Sequence, residues 1–177
     1  MYKYETHCHT SEGSKCSHIT AEKLVEFYKN QGFDGVFITD HFFNGNTTVD
    51  RSQSWDKMVN DFCLGFENAK KTGEKLGIDV FFGFEYSYYG TDVLVYGLDK
   101  NWLLSHPDVM SLGTTEFCDF ARSDGALIIH AHPFREASYI NMIRLFPRKV
   151  DGVEIYNACR TDFENARAKE YADNYRL

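Results

Sequence analysis

The sequence predicts an α/β fold in which strands and helices alternate and the strand ends bring their chemistry to one face. Three observations carry that prediction. Short β-branched and aromatic runs alternate with segments whose apolar residues recur every three or four positions. Glycines and capping residues mark the joins between them. Nearly every predicted strand also ends in a group able to hold a proton or a metal ion: His7 and His9, Asp40 and His41, Glu85, His132, and Glu154. In parallel α/β architectures, and in β/α barrels above all, the C-terminal strand ends open onto the face that carries function.

The elements follow in order. "YETHCHT" predicts a first strand, and because residues i and i+2 share a strand face, His7 and His9 turn the same way. Alone this is weak, since seven histidines in 177 residues produce an occasional H-x-H by accident. "ITAEKLVEFYKNQGF" predicts an amphipathic helix capped by Thr20, with Glu22 in its first turn and Gly32 as its stop. "GVFITDH" predicts a buried strand that delivers Asp40 and His41, followed by the turn-rich loop "FNGNTTVDRSQS". From Ser54 onward Trp55, Met58, Val59, Phe62, Cys63, Phe66 and Ala69 keep helical spacing, which predicts one helix running to Gly77. "IDVFFGFEYS" and "TDVLVYGL" predict two strands joined by a hairpin-like turn at Gly90, the first bearing Glu85 near its end and the second opening on Asp92. A helix around "TTEFCDFARSDG", the strand "ALIIHAHPF", a short helix at "SYINMIRLF", the strand "GVEIYN" and a closing helix from about Asp162 to Tyr175 complete the pattern. With no fixed-period repeat, low-complexity stretch or linker, residues 1–177 are expected to form a single domain.

Hydrophobic residues at 43% and aromatics at 16% place the chain among globular proteins. A net charge of −7 argues against a broad nucleic-acid-binding face, which needs clustered Lys and Arg. The five cysteines are odd in number and lack a C-x-x-C pair, so neither a disulfide framework nor a zinc ribbon is indicated, and a reducing cytoplasm is expected. No stretch resembles a signal peptide or reaches membrane-spanning length, so no membrane contact is expected.

Imidazole nitrogens and carboxylate oxygens are the donors that zinc, manganese and iron share, and a carboxylate such as Glu85 can bridge two ions. His7, His9, His41 and His132 fall at strand ends, which a multinuclear metal centre explains better than chance. His18 and His106 read as solvated loop residues, and His130, sharing a face with His132, as a core histidine. Asp40 faces away from His41 and reads as a group that orients the site or forms the turn. Glu154 is open between support of the site and surface pairing.

Together, "H-x-H-T" at His7 to Thr10, "TDH" at Thr39 to His41, "G-x-E" at Gly83 to Glu85 and "AHPFR" at Ala131 to Arg135 resemble the PHP family, named for polymerase and histidinol phosphatase. Their order and spacing agree from Tyr4 to about Asn157. The resemblance implies a distorted (β/α)7 TIM-like barrel of the PHP type, with two or three divalent metal ions at the strand C-termini. It implies that His7 and His9 hold a first ion, that Glu85 bridges to a second completed by His132, and that His41 belongs to a third. Asp92 stands where many members carry a histidine, and Glu12 is the nearest carboxylate after "H-x-H-T", with Lys15 where a ligand is expected. The late D-x-H motif of the family has no match after Asn157. A barrel incomplete at its C-terminus is therefore expected, and the case for a third ion is weakened.

The resemblance implies hydrolysis of phosphoesters. The expected substrate is a small phosphorylated metabolite or nucleotide, attacked by a metal-activated water, with Glu85 and His132 as the central catalytic pair. Arg135 is expected to grip the phosphate through its two-pronged guanidinium, with a surface salt bridge as the plainer alternative, and Asn157 to add a hydrogen bond. Two other readings stay open: a PHP-type exonuclease acting on nucleic-acid ends, and a catalytically weakened PHP-like binding or scaffold module.

Overall fold

The computed structural model describes residues 1–177. Six strands, β1 (Tyr4–Cys8), β2 (Gly35–Ile38), β3 (Asp79–Tyr88), β4 (Thr91–Tyr96), β5 (Leu127–Ala131) and β6 (Gly152–Val153), form one sheet whose spatial order follows the chain order. Six helices join them: α1 (Ala21–Asn30), α2 (Trp55–Phe62), α3 (Leu64–Leu76), α4 (Lys100–Ser105), α5 (Thr114–Ser123) and α6 (Asp162–Tyr175). A 3-10 turn at Pro107–Ser111 separates α4 from α5.

The sheet is mixed. β1, β2 and β3 run parallel, as do β5 and β6, but β4 runs against both its neighbours. The turn between β3 and β4 is tight, with Tyr89 and Gly90 both in the left-handed region at φ 49° and 79°, as primed hairpin turns require. The antiparallel β4 begins at the mouth where the parallel strands end, so Asp92 opens its strand yet sits level with Ala131 and Ser87. The sheet also curls. Within β1 the Thr6 carbonyl accepts a 2.6 Å bond from the Tyr96 hydroxyl, and His7 Nδ1 lies 2.8 Å from Glu154 Oε1 just beyond β6. The two edges thereby approach each other in a half-barrel.

Strand alternation sorts the side chains. Phe84 and Tyr86 of β3 enter the main core with Phe42, Phe43, Phe62 and Phe117, while Glu85 between them takes the opposite face. A smaller core packs Leu24 and Val25 of α1 against Val36 and Ile38 of β2 and Ala69 of α3. Burying each such side chain contributes about 1.5–3 kcal/mol, so these two cores fix the sheet's outer face.

Three expectations are corrected. The single helix from Ser54 to Gly77 is two, interrupted at Cys63. The redirected chain brings Gly65 against the loop after β1, where an added Cβ would fall 2.3 Å from Thr10 Oγ1 and 2.8 Å from Asp40 Oδ2. "SYINMIRLF" forms no helix. Tyr139, Met142, Ile143 and Leu145 stay exposed, so no apolar stripe is available to bury; instead Ile140 packs on Gly90 and Arg144 Nη1 donates to the Tyr89 carbonyl at 3.1 Å. The last strand covers only Gly152–Val153, which leaves Glu154 beyond its end. α4 was not anticipated, although Asp99 caps it by accepting from the Trp102 amide at 2.8 Å. α6 keeps its expected limits because Thr161 and Glu164 cap it reciprocally.

Gly65→Ala is expected to lower stability by about 1–3 kcal/mol through overpacking, whereas exposed Lys70→Ala on the same helix changes it by less than about 0.5 kcal/mol. Urea unfolding of the two variants checks the difference.

Candidate metal centre

Three strand ends converge on Glu85 of β3. β1 ends beside His7 and His9, and β5 ends just before His132. β2 continues past Ile38 to His41, which pairs with Glu85 as an isolated parallel bridge: the Glu85 amide donates to the Asp40 carbonyl at 3.0 Å and the Phe42 amide to the Glu85 carbonyl at 2.9 Å. Glu85 is completely buried. Its Oε2 lies 3.6 Å from His7 Nε2, 3.4 Å from His9 Nε2 and 2.8 Å from His41 Nδ1, and its Oε1 lies 3.1 Å from His132 Nε2. Two groups of donor atoms lie each within 4.8 Å of one another: His7, Glu85 and His132, and His9, Cys16 and His41.

Despite these approaches, Glu85 Oε2, His41 Nδ1 and Asp92 Oδ2 are buried without a hydrogen-bond partner. The 2.8 Å separation of His41 Nδ1 from Glu85 Oε2 is therefore proximity without hydrogen-bond geometry. Each unsatisfied buried polar atom costs about 1–3 kcal/mol. Lone pairs from imidazole and carboxylate that face one another unbonded are the donor set a divalent cation takes, so the residues present fit a metal.

The proton affinities reflect one buried charge shared by several rings. Burial opposes ionisation of Glu85, but His7, His132 and His41 outweigh it and hold the carboxyl well below the usual range. Burial would push His7 down; the Glu85 charge and the Glu154 hydrogen bond overcome it and hold the imidazole well above its ordinary value. His41 is likewise pressed down by burial, yet the adjacent Cys16 thiol and Glu85 carboxylate raise it to about 10. His9 goes the other way, to about 3, because burial adds to repulsion from His41, His7 and His132 and together these exceed the pull of Glu85.

A second row of residues sets these rings. Glu154 accepts the His132 amide through Oε2 at 2.8 Å while Oε1 meets His7 Nδ1, so it supports the site. That amide bond also helps hold His132 at φ 28°, a left-handed conformation costing of order 1–3 kcal/mol. Asp40 accepts from the Thr10 amide at 2.7 Å, the Thr10 hydroxyl at 2.6 Å and the Ser14 hydroxyl at 2.8 Å, and Ser14 Oγ accepts the His41 amide at 2.9 Å. Burial pushes the Asp40 carboxyl up to about 6 against the opposing Thr10 and Ser14 bonds.

Several residues lie elsewhere than the sequence suggested. Glu12 joins neither donor group; both its oxygens accept the Ala21 amide at 3.1 Å at the start of α1. Asn157 Nδ2 donates to Glu154 Oε1 at 3.1 Å, which makes it a support of that carboxylate. Asp92 Oδ2 lies 4.0 Å from His132 Nε2 and 3.6 Å from Arg135 Nη2, and burial together with the Glu85 charge raises its proton affinity. Arg135 also bonds the Tyr139 hydroxyl. His130 is buried and stacked on Phe146 at 4.5 Å, His106 bonds the Trp102 carbonyl at 2.7 Å, and His18 is exposed. Cys16 was missed, since a single cysteine seven residues after His9 carries no spacing signal; only the path of the loop brings it to the rings.

A family profile for the PHP domain matches residues 5–175. The chain belongs to the PHP domain family. Solved structures similar to this PHP chain include a protein from Bifidobacterium adolescentis assigned as a metal-dependent phosphoesterase, with 16% identity, TM-score 0.58, and 99% of this chain and 85% of that one covered. A two-domain protein from Bacteroides vulgatus, assigned a PHP-like metal-dependent phosphoesterase module, matches with 16% identity and TM-score 0.71 over 99% of this chain and 49% of its own. An amidohydrolase from Chromobacterium violaceum, with bound sulfate and no metal, matches with 12% identity and TM-score 0.58 over 99% and 84% of the two chains. At these identities the likeness is one of fold, the mixed α/β half-barrel seen here. Comparison with curated proteins gave no match.

In this PHP chain Asp40→Ala strands the Thr10 amide and two hydroxyls, and a loss of about 2–3 kcal/mol is expected in urea unfolding. Asp40→Asn, which retains an acceptor oxygen, should lose less.

Proposed function

We propose that the chain is a metal-dependent phosphoesterase acting on small phosphorylated molecules, with His7, His9, His41, Glu85, Asp92 and His132 holding the ions. The observation that carries this reading is the unbonded, fully buried Glu85 Oε2 facing three imidazole nitrogens. Membership of the PHP family and the phosphoesterase assignments of the Bifidobacterium and Bacteroides structures support it. Divalent zinc, manganese or iron at these donors would supply Lewis-acid polarisation of a phosphoryl group and acidification of water.

The chain's own residues do the rest. Glu85 offers one oxygen to each side of the centre, since Oε1 faces His132 while Oε2 faces His7, His9 and His41. Glu154 fixes the His7 ring and the His132 backbone, and Asn157 steadies Glu154. Arg135, its side chain 18% exposed beside Asp92, is placed to grip a phosphate oxygen at the rim. A net charge of −7 favours a small ester over a nucleic-acid backbone. No helix is long and apolar enough to cross a membrane.

Elemental analysis and a panel of phosphomonoesters test the proposal. The wild-type chain should carry divalent metal and release phosphate; Glu85→Gln, which keeps the shape and removes the charge, should lose both. Cleavage of single-stranded DNA without monoester hydrolysis would contradict the small-molecule reading. Arg135→Ala is expected to raise KM about tenfold to a hundredfold, the worth of a hydrogen bond to a charged group.

Metal binding should also be linked to pH with a definite sign. His7 and His41 carry raised proton affinities, so the ion-free chain holds their protons at neutral pH, and a cation must displace them. Titration of the metal-depleted chain near pH 7 is expected to release protons, and apparent affinity to rise with pH. Isothermal titration in buffers of different ionisation enthalpy measures the release.

A further inference from the structure

The donor group of His9, Cys16 and His41 contains a sulfur that neither the PHP resemblance nor the sequence pattern assigns. We propose that Cys16 binds as a thiolate, giving this side of the centre a mixed nitrogen–sulfur donor set that favours zinc or cobalt over manganese and magnesium. The inference rests on the metal centre proposed above, but not on any catalytic activity.

The geometry is specific. One donor atom from each of the three residues lies within 4.8 Å of the other two, and the His9 and His41 rings stack at 4.5 Å with 14° between their planes. A tetrahedral zinc ion, with Zn–N of about 2.0 Å and Zn–S of about 2.3 Å, spaces its donors roughly 3.5 Å apart, so small side-chain movements close the set. The fourth position has a candidate in place: Glu85 Oε2 is 3.4 Å from His9 Nε2 and 2.8 Å from His41 Nδ1. Both Glu85 Oε2 and His41 Nδ1 lack hydrogen-bond partners, and His41 is only 9% exposed. An unpartnered buried imidazole aimed into the group is an observation independent of the thiol.

The loop that carries Cys16 is held on both sides. The Ser14 amide donates to the Thr10 carbonyl at 2.9 Å, the Ser14 hydroxyl reaches Asp40, and the Lys15 amide donates to the Asn46 carbonyl at 2.9 Å. Ser14 also pairs with Thr47 as an isolated bridge. Cys16 thus reaches the rings from an anchored turn. Its thiol is exposed and outside any disulfide, so it is available to an incoming ion. The other cysteines give a built-in control, because Cys8, Cys63 and Cys118 are buried whereas Cys159 is exposed but belongs to neither donor group.

Sulfur changes what the site selects. Thiolate is a soft donor suited to zinc, whereas magnesium and manganese prefer oxygen. With Glu12 engaged at the start of α1, the carboxylate expected near this position is absent, and the thiol takes its place.

Cobalt titration of the full metal-depleted chain tests the proposal without using turnover. The wild type is expected to develop both the visible bands of bound cobalt and the near-ultraviolet charge-transfer band of a cobalt–thiolate bond; Cys16→Ser should lose the charge-transfer band and keep visible bands. Zinc should protect Cys16, but not Cys159, from alkylation as read by peptide mass. Bound cobalt without charge transfer in the wild type, or the same band in Cys16→Ser, overturns the thiolate assignment and leaves the metal centre standing. Failure of the wild type to bind cobalt at all overturns both.

Discussion

A carboxylate buried without any exposure is the constraint around which this protein is organised. Glu85 sits on a strand paired on both sides, and Phe84 and Tyr86, locked in the aromatic core, prevent it from turning outward. Removing a lone carboxylate from water is prohibitively costly unless opposite charge comes with it. The compensation arrives from three distant parts of the chain, His7 and His9 at the end of β1, His41 after β2 and His132 after β5. The acid is therefore tolerable only when the whole sheet has assembled, which ties the site to the fold.

A second buried acid shows that burial alone does not make a cation site. Asp40 lies immediately before His41, but its partners are the neutral donors of Thr10 and Ser14 rather than imidazoles. Its proton affinity rises where that of Glu85 falls. Glu85 thus gathers positive charge, while Asp40 acts as a clamp that positions the loop carrying Ser14 and the backbone of His41. Both Gly13 and Gly65 lie against this clamp, where a side chain would collide with Asp40 or Thr10.

What the sequence revealed and what it hid divide along the same physical line. The order of the strands, the β3–β4 hairpin and the limits of α6 were legible because period, turn chemistry and capping are written locally. The convergence of His7, His41, Glu85 and His132 was legible because each closes or follows a strand run. The break at Cys63 was not, since its reason is Gly65 meeting Thr10 and Asp40 across the fold. That Cys16 rather than Glu12 lies beside the His9 and His41 rings was equally invisible, since hydrogen bonds from Ser14 and Lys15 to remote partners set the path of the loop. At 138–146 an apolar pattern suggested a helix, but packing over the hairpin tip won.

The same atoms that meet at the site also hold the sheet's edges together. β1 and β6 form no backbone ladder with each other, and the gap is spanned by Glu154, which meets His7 Nδ1 with one oxygen and the His132 amide with the other. His7 consequently faces two ways, toward Glu154 through Nδ1 and toward Glu85 through Nε2. Orienting that ring for a cation and bridging the edges of the half-barrel are one interaction. A ligand that binds only the folded chain stabilises it by mass action, so a cation at Glu85 would tighten the curl as well as fill the centre.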